Sequence, residues 1–559
     1  MTKIFRFMCA AIISLFVFSN FLFGQTIQWA KTYGGSKKDK GRDVAVDAQG
    51  NIYLAGFFTE QMTLGNITLN SVGPVSKEDI FVAKLDPNGE PIWAHNFGNG
   101  IENHSDFPLA FHGNKAGYTA VTGDFKNNLL FDDGTFLNGI GGFDMFLAVY
   151  DTDGNLLWAK VGGGSGNDIG TGVFVSDDNY IYCTGNFKGD CNFFGDSTLV
   201  WGVPPQHYVY VAKYDLAGNL IWLNVYGSET NFESRCIVYD QKTFVYVGGN
   251  FRNAITLSNA NLTATGEEDG WLAQFGVNGN FQWAKSFGSS NPLSNECIYS
   301  IACDTNQNFY ISSIFSQDIN FDGNVLSTGS EQNVCVAAYD KMGTYKWSKA
   351  VSGTPGALFS AHCLGLLAEG NILLTGCFAG EVVVDNSITL IPNGPNPIYA
   401  DAFYVGLFPK TGNIAFAVHV GGELSDAGHG LAGNYSGYAF ACGHYKNAGV
   451  FGNFSLVSNG NTDAFLIKFA QNFVSVGHEF SGFSTSIFPN PAHETVTIAI
   501  PSEVAELFVS DMSGRIVLHQ NVSGLSTVKI PLAQFAPGTY LVSLNGGSAN
   551  YKAKLLVQH

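Results

Sequence analysis

The sequence predicts an all-β protein: a seven-bladed β-propeller closed by its own N-terminal strand, followed by a small Ig-like β-sandwich. Three observations lead there. Tryptophan recurs in one setting at 29, 93, 158, 222, 283 and 347, with Phe416 in its place in the next copy, at intervals of 64, 65, 64, 61, 64 and 69 residues. The composition, with 67 glycines, 46 phenylalanines and 23 tyrosines in 559 residues, suits many short strands separated by glycine turns. The tryptophan repeat stops near residue 473, and the alternating segments after it have turns of a different kind.

Charged residues make up only 13% of the chain and hydrophobic ones 45%, which describes a packed globular protein. The formal net charge of −18, with no basic cluster, repels phosphate backbones and argues against a nucleic-acid partner.

Residues 1–24 read as a signal peptide. Lys3 and Arg6 precede an apolar run from Phe7 to Phe23, and Gly24 offers a small residue for cleavage before Gln25. The run is short for a membrane anchor, and no later segment is apolar enough to span a bilayer after signal cleavage. Cys9 precedes the apolar run, a poor place for a lipoprotein acyl anchor.

Residues 25–472 carry the repeat. Around each tryptophan lies a segment such as DIFVAKLDPNGEPIWAHNFG (79–98) or DGWLAQFGVNGNFQWAKSFG (269–288). It alternates with a second one, as in GNIYLAGFF (50–58) and TFVYVGGNF (243–251), preceded by a run such as DVAVDAQ (43–49). Period-two alternation with Asp-Gly or Asn-Gly turns gives about four strands per copy. One such sheet cannot cover both its faces, so copies stack radially. The last copy, NTDAFLIKFAQN (461–472), lacks its tryptophan strand, and TIQWAKTYGG (26–35) supplies it from the other end. The span 25–472 is 448 residues, seven times 64. Closure of this kind removes exposed sheet edges. Trp29, Trp93, Trp158, Trp222, Trp283 and Trp347 are read as the repeat core. With their G-N-x-Y-x-x-G-x-F and W-A-K-x-x-G-G signatures, the repeats resemble the secreted bacterial SBBP propeller repeats. That resemblance covers residues 26 to about 472 and implies architecture without a common activity.

Residues 473–486 read as a linker and 487–559 as a separate β domain. Phe488, Pro489, Asn490 and Pro491 open it. Asp511-Met512-Ser513-Gly514-Arg515 lies in the middle, Pro537-Gly538-Thr539-Tyr540 follows, and Lys554-Leu555-Leu556-Val557 ends it. In these blocks the segment resembles the type A C-terminal sorting domain of the type IX secretion system. The resemblance implies a translocon and a sortase as partners, and a secreted or outer-surface location on a diderm bacterium. It also implies cleavage within 473–486, with attachment to anionic lipopolysaccharide a frequent outcome. The rival reading is an accessory Ig-like domain that stays attached and binds a surface polymer.

Catalytic signatures are scarce. Asp86, Asp151, Asp153, Asp215 and Asp340 fall in or beside hairpin turns, where Asp bonds its own backbone. DTDGN (151–155) resembles the start of a calcium loop but lacks the downstream bidentate Glu, so calcium is only a minor alternative to no cofactor. His95, His104 and His112 cluster in sequence, as do His419, His429 and His444, without the spacing of a metal motif. Nine cysteines remain after signal removal, an odd and irregularly spaced set. Cys297 and Cys303 are too far apart on one strand to bridge, whereas Cys363 and Cys377 flank a hairpin turn and could face each other. Glycine runs such as VGGGSGND (161–168) read as inter-blade turns and not as phosphate cradles. No catalytic or metal residue is assigned. The expectation is a non-enzymatic scaffold that binds an extracellular protein or glycan through loops 201–210 and 386–402. A structural role in a surface apparatus and a polymer hydrolase or lyase are the alternatives.

Overall fold

The computed structural model describes residues 27–469 and 487–557, less 73–76, 100–106, 196, 200–206, 329–332, 354–357, 368–369, 386–387, 395–397, 434–436, 489–491, 501–504, 512–515, 534 and 547–548. The signal segment 1–24 and the linker 473–486 lie outside the described residues. Contacts divide the chain into two units, Met1–Phe473 and Val474–His559. Every regular element described is a β-strand.

In the first unit a four-stranded antiparallel order recurs. Lys40–Val46, Ile52–Thr59, Glu78–Leu85 and Pro91–Gly98 pair in sequence order, as do Ile169–Val175, Tyr180–Lys188, His207–Asp215 and Leu220–Ser228. The order returns with the innermost strands Phe107–Gly113, Phe232–Tyr239, Cys297–Cys303 and Leu358–Leu366. In the last copy Ala427–Gly433, Ala439–Tyr445 and Asp463–Phe469 are completed by Ile27–Tyr33. Ala30 there lies opposite Ile467 and Tyr33 opposite Ala464. Each innermost strand packs beside the next, and Ala427–Gly433 packs beside Lys40–Val46 again. The arrangement is propeller-like, and no single sheet closes on itself. The second strand of a copy has sheets over both faces, so all eight residues of Ile52–Thr59 are buried.

Each copy also carries a hairpin that the four-strand reading passed over. Between second and third strands lie Gln61–Leu64 with Ile67–Asn70, Ala254–Leu257 with Ala260–Thr263, and Asp318–Phe321 with Asn324–Ser327. Cys191–Phe193, Val382–Asp385 and Ala448–Phe451 begin the corresponding pairs elsewhere, and in Thr119–Phe131 and Phe136–Tyr150 the hairpin is fused to the long strands. Each lies on the outer strand of the preceding copy. Gly34 bridges Thr63, Phe97 pairs Phe131, Gly288 bridges Asn320, and Gly421 pairs Val450. Met62, Leu64, Ile255, Leu257, Ile319 and Phe321 are buried by this contact. The glycine runs thus lie at seams between copies, where backbone meets backbone.

The tryptophans mark the same seams. Most are half-buried on the outer strand and face the turn of the following copy. Trp158 Nε1 donates to Leu216 O at 2.9 Å, Trp222 Nε1 to Val277 O at 3.0 Å and Trp347 Nε1 to Pro409 O at 2.9 Å. The lysine of W-A-K adds a second clamp, with Lys160 Nζ donating to Gly218 O and Lys285 Nζ to Gly343 O. Trp347 belongs to a core cluster, and Trp29, Trp93, Trp158, Trp222 and Trp283 pack against core clusters from the seam.

The cysteine reading needs a correction. Cys363 and Cys377 are both free, because Cys363 lies opposite Thr375 and Cys377 opposite Ser360, out of register with each other.

The second unit has two antiparallel sheets. Ile487–Phe488, Thr495–Ala499 and Thr527–Pro531 form one; Ile516–Asn521, Glu506–Asp511, Gly538–Gly546 and Ala549–Val557 form the other. Val496, Ile498, Leu507, Val509, Val542 and Leu555 share its apolar core.

Candidate functional site

Every innermost strand has a β-bulge at the same place. The register shifts between Gly41 and Asp43, Pro108 and Ala110, Gly170 and Gly172, and Ser234 and Cys236. It shifts again between Ile298 and Ser300, Ala361 and Cys363, and Gly428 and Gly430. A bulge leaves one residue unpaired and re-aims its side chain. The residues freed are Arg42, Leu109, Thr171, Arg235, Tyr299, His362 and His429, and all line one central cavity of about 880 Å³. Their neighbours on the strands are largely buried between sheets, whereas each of these is partly accessible. Elsewhere the copies repeat similar chemistry; here they differ from copy to copy.

The histidines run outward in a stack. His362 and His429 have ring centroids 4.9 Å apart, and His429 and His444 5.0 Å. His362 Nδ1 lies 2.7 Å from Gly428 O, so this nitrogen carries the proton and Nε2 is left as a base. His429 Nε2 and His444 Nδ1 are 2.9 Å apart, one donating to the other. Burial holds the stack neutral, bringing His362 down to about 4 and His429 and His444 well below the ordinary imidazole value.

Two cations stand against the stack. Burial, together with Lys38 and Arg42, depresses the Lys40 ammonium to about 8. Burial also depresses the Arg42 guanidinium, against the opposing field of Asp43. Asp43 lines the cavity beside Arg42, its carboxyl accepting from Val44 N at 2.8 Å; burial raises it to about 7 against the field of Arg42. Among the described residues neither Lys40 nor Arg42 forms an ion pair. Arg235, from a different copy, is neutralised, with Nη2 2.6 Å from Glu233 Oε2. At the turn end of the cavity charges are also matched, Lys115 with Asp177 at 2.7 Å.

The sequence singled out other positions. His95 pairs with Asp132 at 2.8 Å on an outer strand, and His112 lines the central cavity, its Nδ1 accepting from Val175 N and its ring stacked on Phe174; His104 lies outside the described residues. His419 sits apart from its group, paired with Asp401 at 3.0 Å, while His429 and His444 do meet. Asp86, Asp151, Asp215 and Asp340 accept backbone N–H groups of their own turns, as expected. Asp151 spends both oxygens there, on Asp153 N, Asn155 N and Asn155 Nδ2. Of loop 201–210, residues 201–206 lie outside the described residues, and Tyr208 and Tyr210 are buried in a strand, not displayed at a rim. Of loop 386–402, Ile391 and Ile398 are exposed. Arg42, Tyr299 and His362 were not singled out. Aligning the runs GRDVAV, SRCIVY, IYSIAC and AHCLGL exposes their column as one whose chemistry does not repeat.

In the C-terminal unit Phe488 begins the first sheet, while Pro489, Asn490, Pro491 and Gly514 lie outside the described residues. Asp511 pairs with Tyr540 across the second sheet. Tyr540 is buried and donates to Ala536 O at 2.9 Å, just before Gly538 starts its strand.

Comparison with known proteins gives one family match and several distant likenesses. An uncharacterized WD repeat-containing protein (L264) of Acanthamoeba polyphaga mimivirus is 22% identical over 447 residues, which is 64% of this chain and 32% of that protein. The chain therefore spans about a third of the length of this relative. Among solved structures, quinohemoprotein alcohol dehydrogenase from Comamonas testosteroni is similar over 84% of this chain and 79% of its own, with 10% identity and a TM-score of 0.33. Rhamnogalacturonan lyase YesW is similar over 94% and 92%, with 11% identity and a TM-score of 0.25. Residues 486–558 match the family model of the secretion system C-terminal sorting domain. The chain thus ends in a sorting domain of the type IX pathway, which engages that secretion machinery and marks the protein for the cell surface or the extracellular space.

Proposed function

We propose that this protein is a non-enzymatic binding module, a seven-bladed propeller closed by its N-terminal strand, that captures an extracellular protein or glycan at its central cavity. The count of seven rests on the recurring four-strand order and on the cyclic neighbours of the innermost strands. The SBBP-type repeat, the cleavable signal at 1–24 and the Ig-like form of the tail belong to the same reading. The observation that carries it is the column of bulged residues. A repeat that keeps its seams alike while varying one inward position has the form of a scaffold presenting a site. The cavity volume falls in the range of ligand sites, roughly 300–1,000 Å³.

One observation favours a second reading, a lyase. His362 offers an unprotonated Nε2 beside Arg42, and a base next to a cation is the pairing that proton abstraction beside a carboxylate requires. Its low basicity weighs against that reading.

The test is a screen of the full exported chain against glycan and surface-protein arrays, with and without calcium. Reproducible capture that is lost on blocking the cavity, by a bulky substitution such as Thr171→Trp, supports the binding module. Silence on every array moves the protein to a structural role, and turnover of an acidic polymer moves it to the lyase.

A further inference from the structure

We propose that the column of bulged residues is a binding site for a neutral sugar ring, taken as a free sugar or as the end unit of a glycan chain, and read by hydrogen bonds and not by charge. This deepens the binding-module reading and rests on it.

The cavity is layered. Of the innermost-strand residues that line it, all but Ser360 lie at the bulge or beyond it toward the turn, so the bulged side chains stand at one end and the turns at the other. Two residues past the bulge every copy lines it with an apolar side chain, from Val44 and Phe111 to Leu364 and Leu431. At the turns, charge is spent inside the protein. Lys115 pairs with Asp177 at 2.7 Å, Lys242 Nζ donates to Thr305 O, and Asp240 and Asp304 accept N–H groups of their own turns. The bulge column is balanced as well: the field of Asp43 stabilises the Arg42 guanidinium beside it, and Arg235 Nη2 lies 2.6 Å from Glu233 Oε2. Among the described residues a charged ligand therefore meets no unmatched opposite charge here.

What the column does offer is hydrogen-bond capacity of both signs. Tyr299, His362, His429 and Arg42 come from four consecutive copies, whose innermost strands pack side by side, so they share one sector of the lining. Arg42 is close enough to His362 for its field to act on that imidazole. Among the described residues the Arg42 N–H groups and Tyr299 Oη have no hydrogen-bond partner, and His362, with Nδ1 spent on Gly428 O, keeps Nε2 as an acceptor. A hydroxyl donates and accepts at once, so a ring carrying several can take N–H groups from Arg42 while giving O–H to His362. An apolar ligand would leave the same groups dry and unpaired, which costs more than the bonds are worth when made. A sugar ring also has C–H faces, which suit the apolar layer just past the bulge. A cavity of about 880 Å³ accommodates one or two such rings and excludes a folded partner.

The experiment is titration calorimetry on the full exported chain with glucose, galactose, mannose and xylose, each free and as a tetrasaccharide, and with glucuronate. At least one neutral sugar is expected to bind. Raising the salt from about 0.05 to about 0.5 M should leave its affinity within about twofold, because no charge is being matched. Glucuronate should bind no more tightly than glucose. Tyr299→Phe should weaken the bound sugar by roughly 3- to 10-fold, the worth of one hydrogen bond, and Arg42→Gln by roughly 10-fold or more. Tyr299→Phe should leave the urea unfolding midpoint where it is, since Tyr299 Oη bonds nothing in the protein. If Arg42→Gln is not exported, Tyr299→Phe carries the comparison.

A tetrasaccharide that binds more tightly than its free sugar identifies a chain end, and equal or weaker binding identifies the free sugar. Glucuronate bound about tenfold more tightly than glucose overturns the neutral-ligand assignment, and so does an affinity that falls steeply with salt. Sugar binding that neither Tyr299→Phe nor Arg42→Gln weakens overturns the site. Failure of every sugar while the arrays still show capture of a protein or a charged glycan overturns this site and leaves the binding module standing. Failure of the sugars and the arrays together overturns both.

Discussion

The seams between copies can be tested at one glycine. Gly279 sits in the turn that faces Trp222, with φ +84°, and a Cβ there would lie 2.9 Å from Trp222 Cδ2. Gly323 has nearly the same backbone, φ +89°, but nothing lies within 4 Å of its Cβ position. Substituting alanine at either position forces an L-residue into the left-handed region, at about 1–2 kcal/mol. Only Gly279→Ala must also push the indole aside, straining the bond from Trp222 Nε1 to Val277 O and opening the seam. Losing that bond is worth about 1 kcal/mol, and disturbing a half-buried indole about as much again. Gly323→Ala is therefore expected to lose about 1–2 kcal/mol and Gly279→Ala about 3–4 kcal/mol. Urea unfolding of the full chain, followed by tryptophan fluorescence, measures both. Trp222→Phe should shrink the difference, because the smaller ring leaves room for the methyl group. Equal losses at the two glycines would refute the claim that tryptophan and turn glycine lock neighbouring copies together.

Three further outcomes follow from the same geometry. Burial raises Asp39, Asp168 and Asp426 to about 7, although each accepts two backbone N–H bonds, so the folded state holds protons that the unfolded chain releases near 3.8. Such groups lower stability as pH rises from about 4 to about 7, while the buried neutral His112 and His362 act in the opposite sense below about 6.5. The clean readout is a difference: the stability of Asp168→Asn relative to wild type should climb with pH across 4–7, and a flat difference would contradict the raised carboxyl. Deleting residues 25–33 removes the strand that covers Asp463–Phe469 and should leave an open edge, giving soluble aggregates in light scattering where the complete chain stays monodisperse. Tyr540→Phe removes the bond to Ala536 O and should lower the C-terminal unit's own transition by about 1 kcal/mol without moving that of the first unit.

The sequence by itself determined the period, the all-β class, the supply of the missing last strand from the N-terminus, and the sorting blocks at the C-terminus. These rest on local rules: alternation, turn residues, and a tryptophan that each copy must reproduce because each makes the same seam. The hairpins are also legible there, as in MTLGNITL and INFDGNVL, but each strand is only four residues long, too short for alternation alone to mark it. What only the tertiary structure decided is the site. Arg42 and His362 are 320 residues apart, and nothing in either local segment marks it as more than a strand residue. A bulge in every innermost strand turns one residue per copy out of the pairing, and radial stacking then gathers those residues around one axis. Charge balance around that site is likewise set by which surfaces meet and not by how many residues of each sign the chain contains: Arg42 feels the field of Asp43, whereas Arg235 is paired with Glu233.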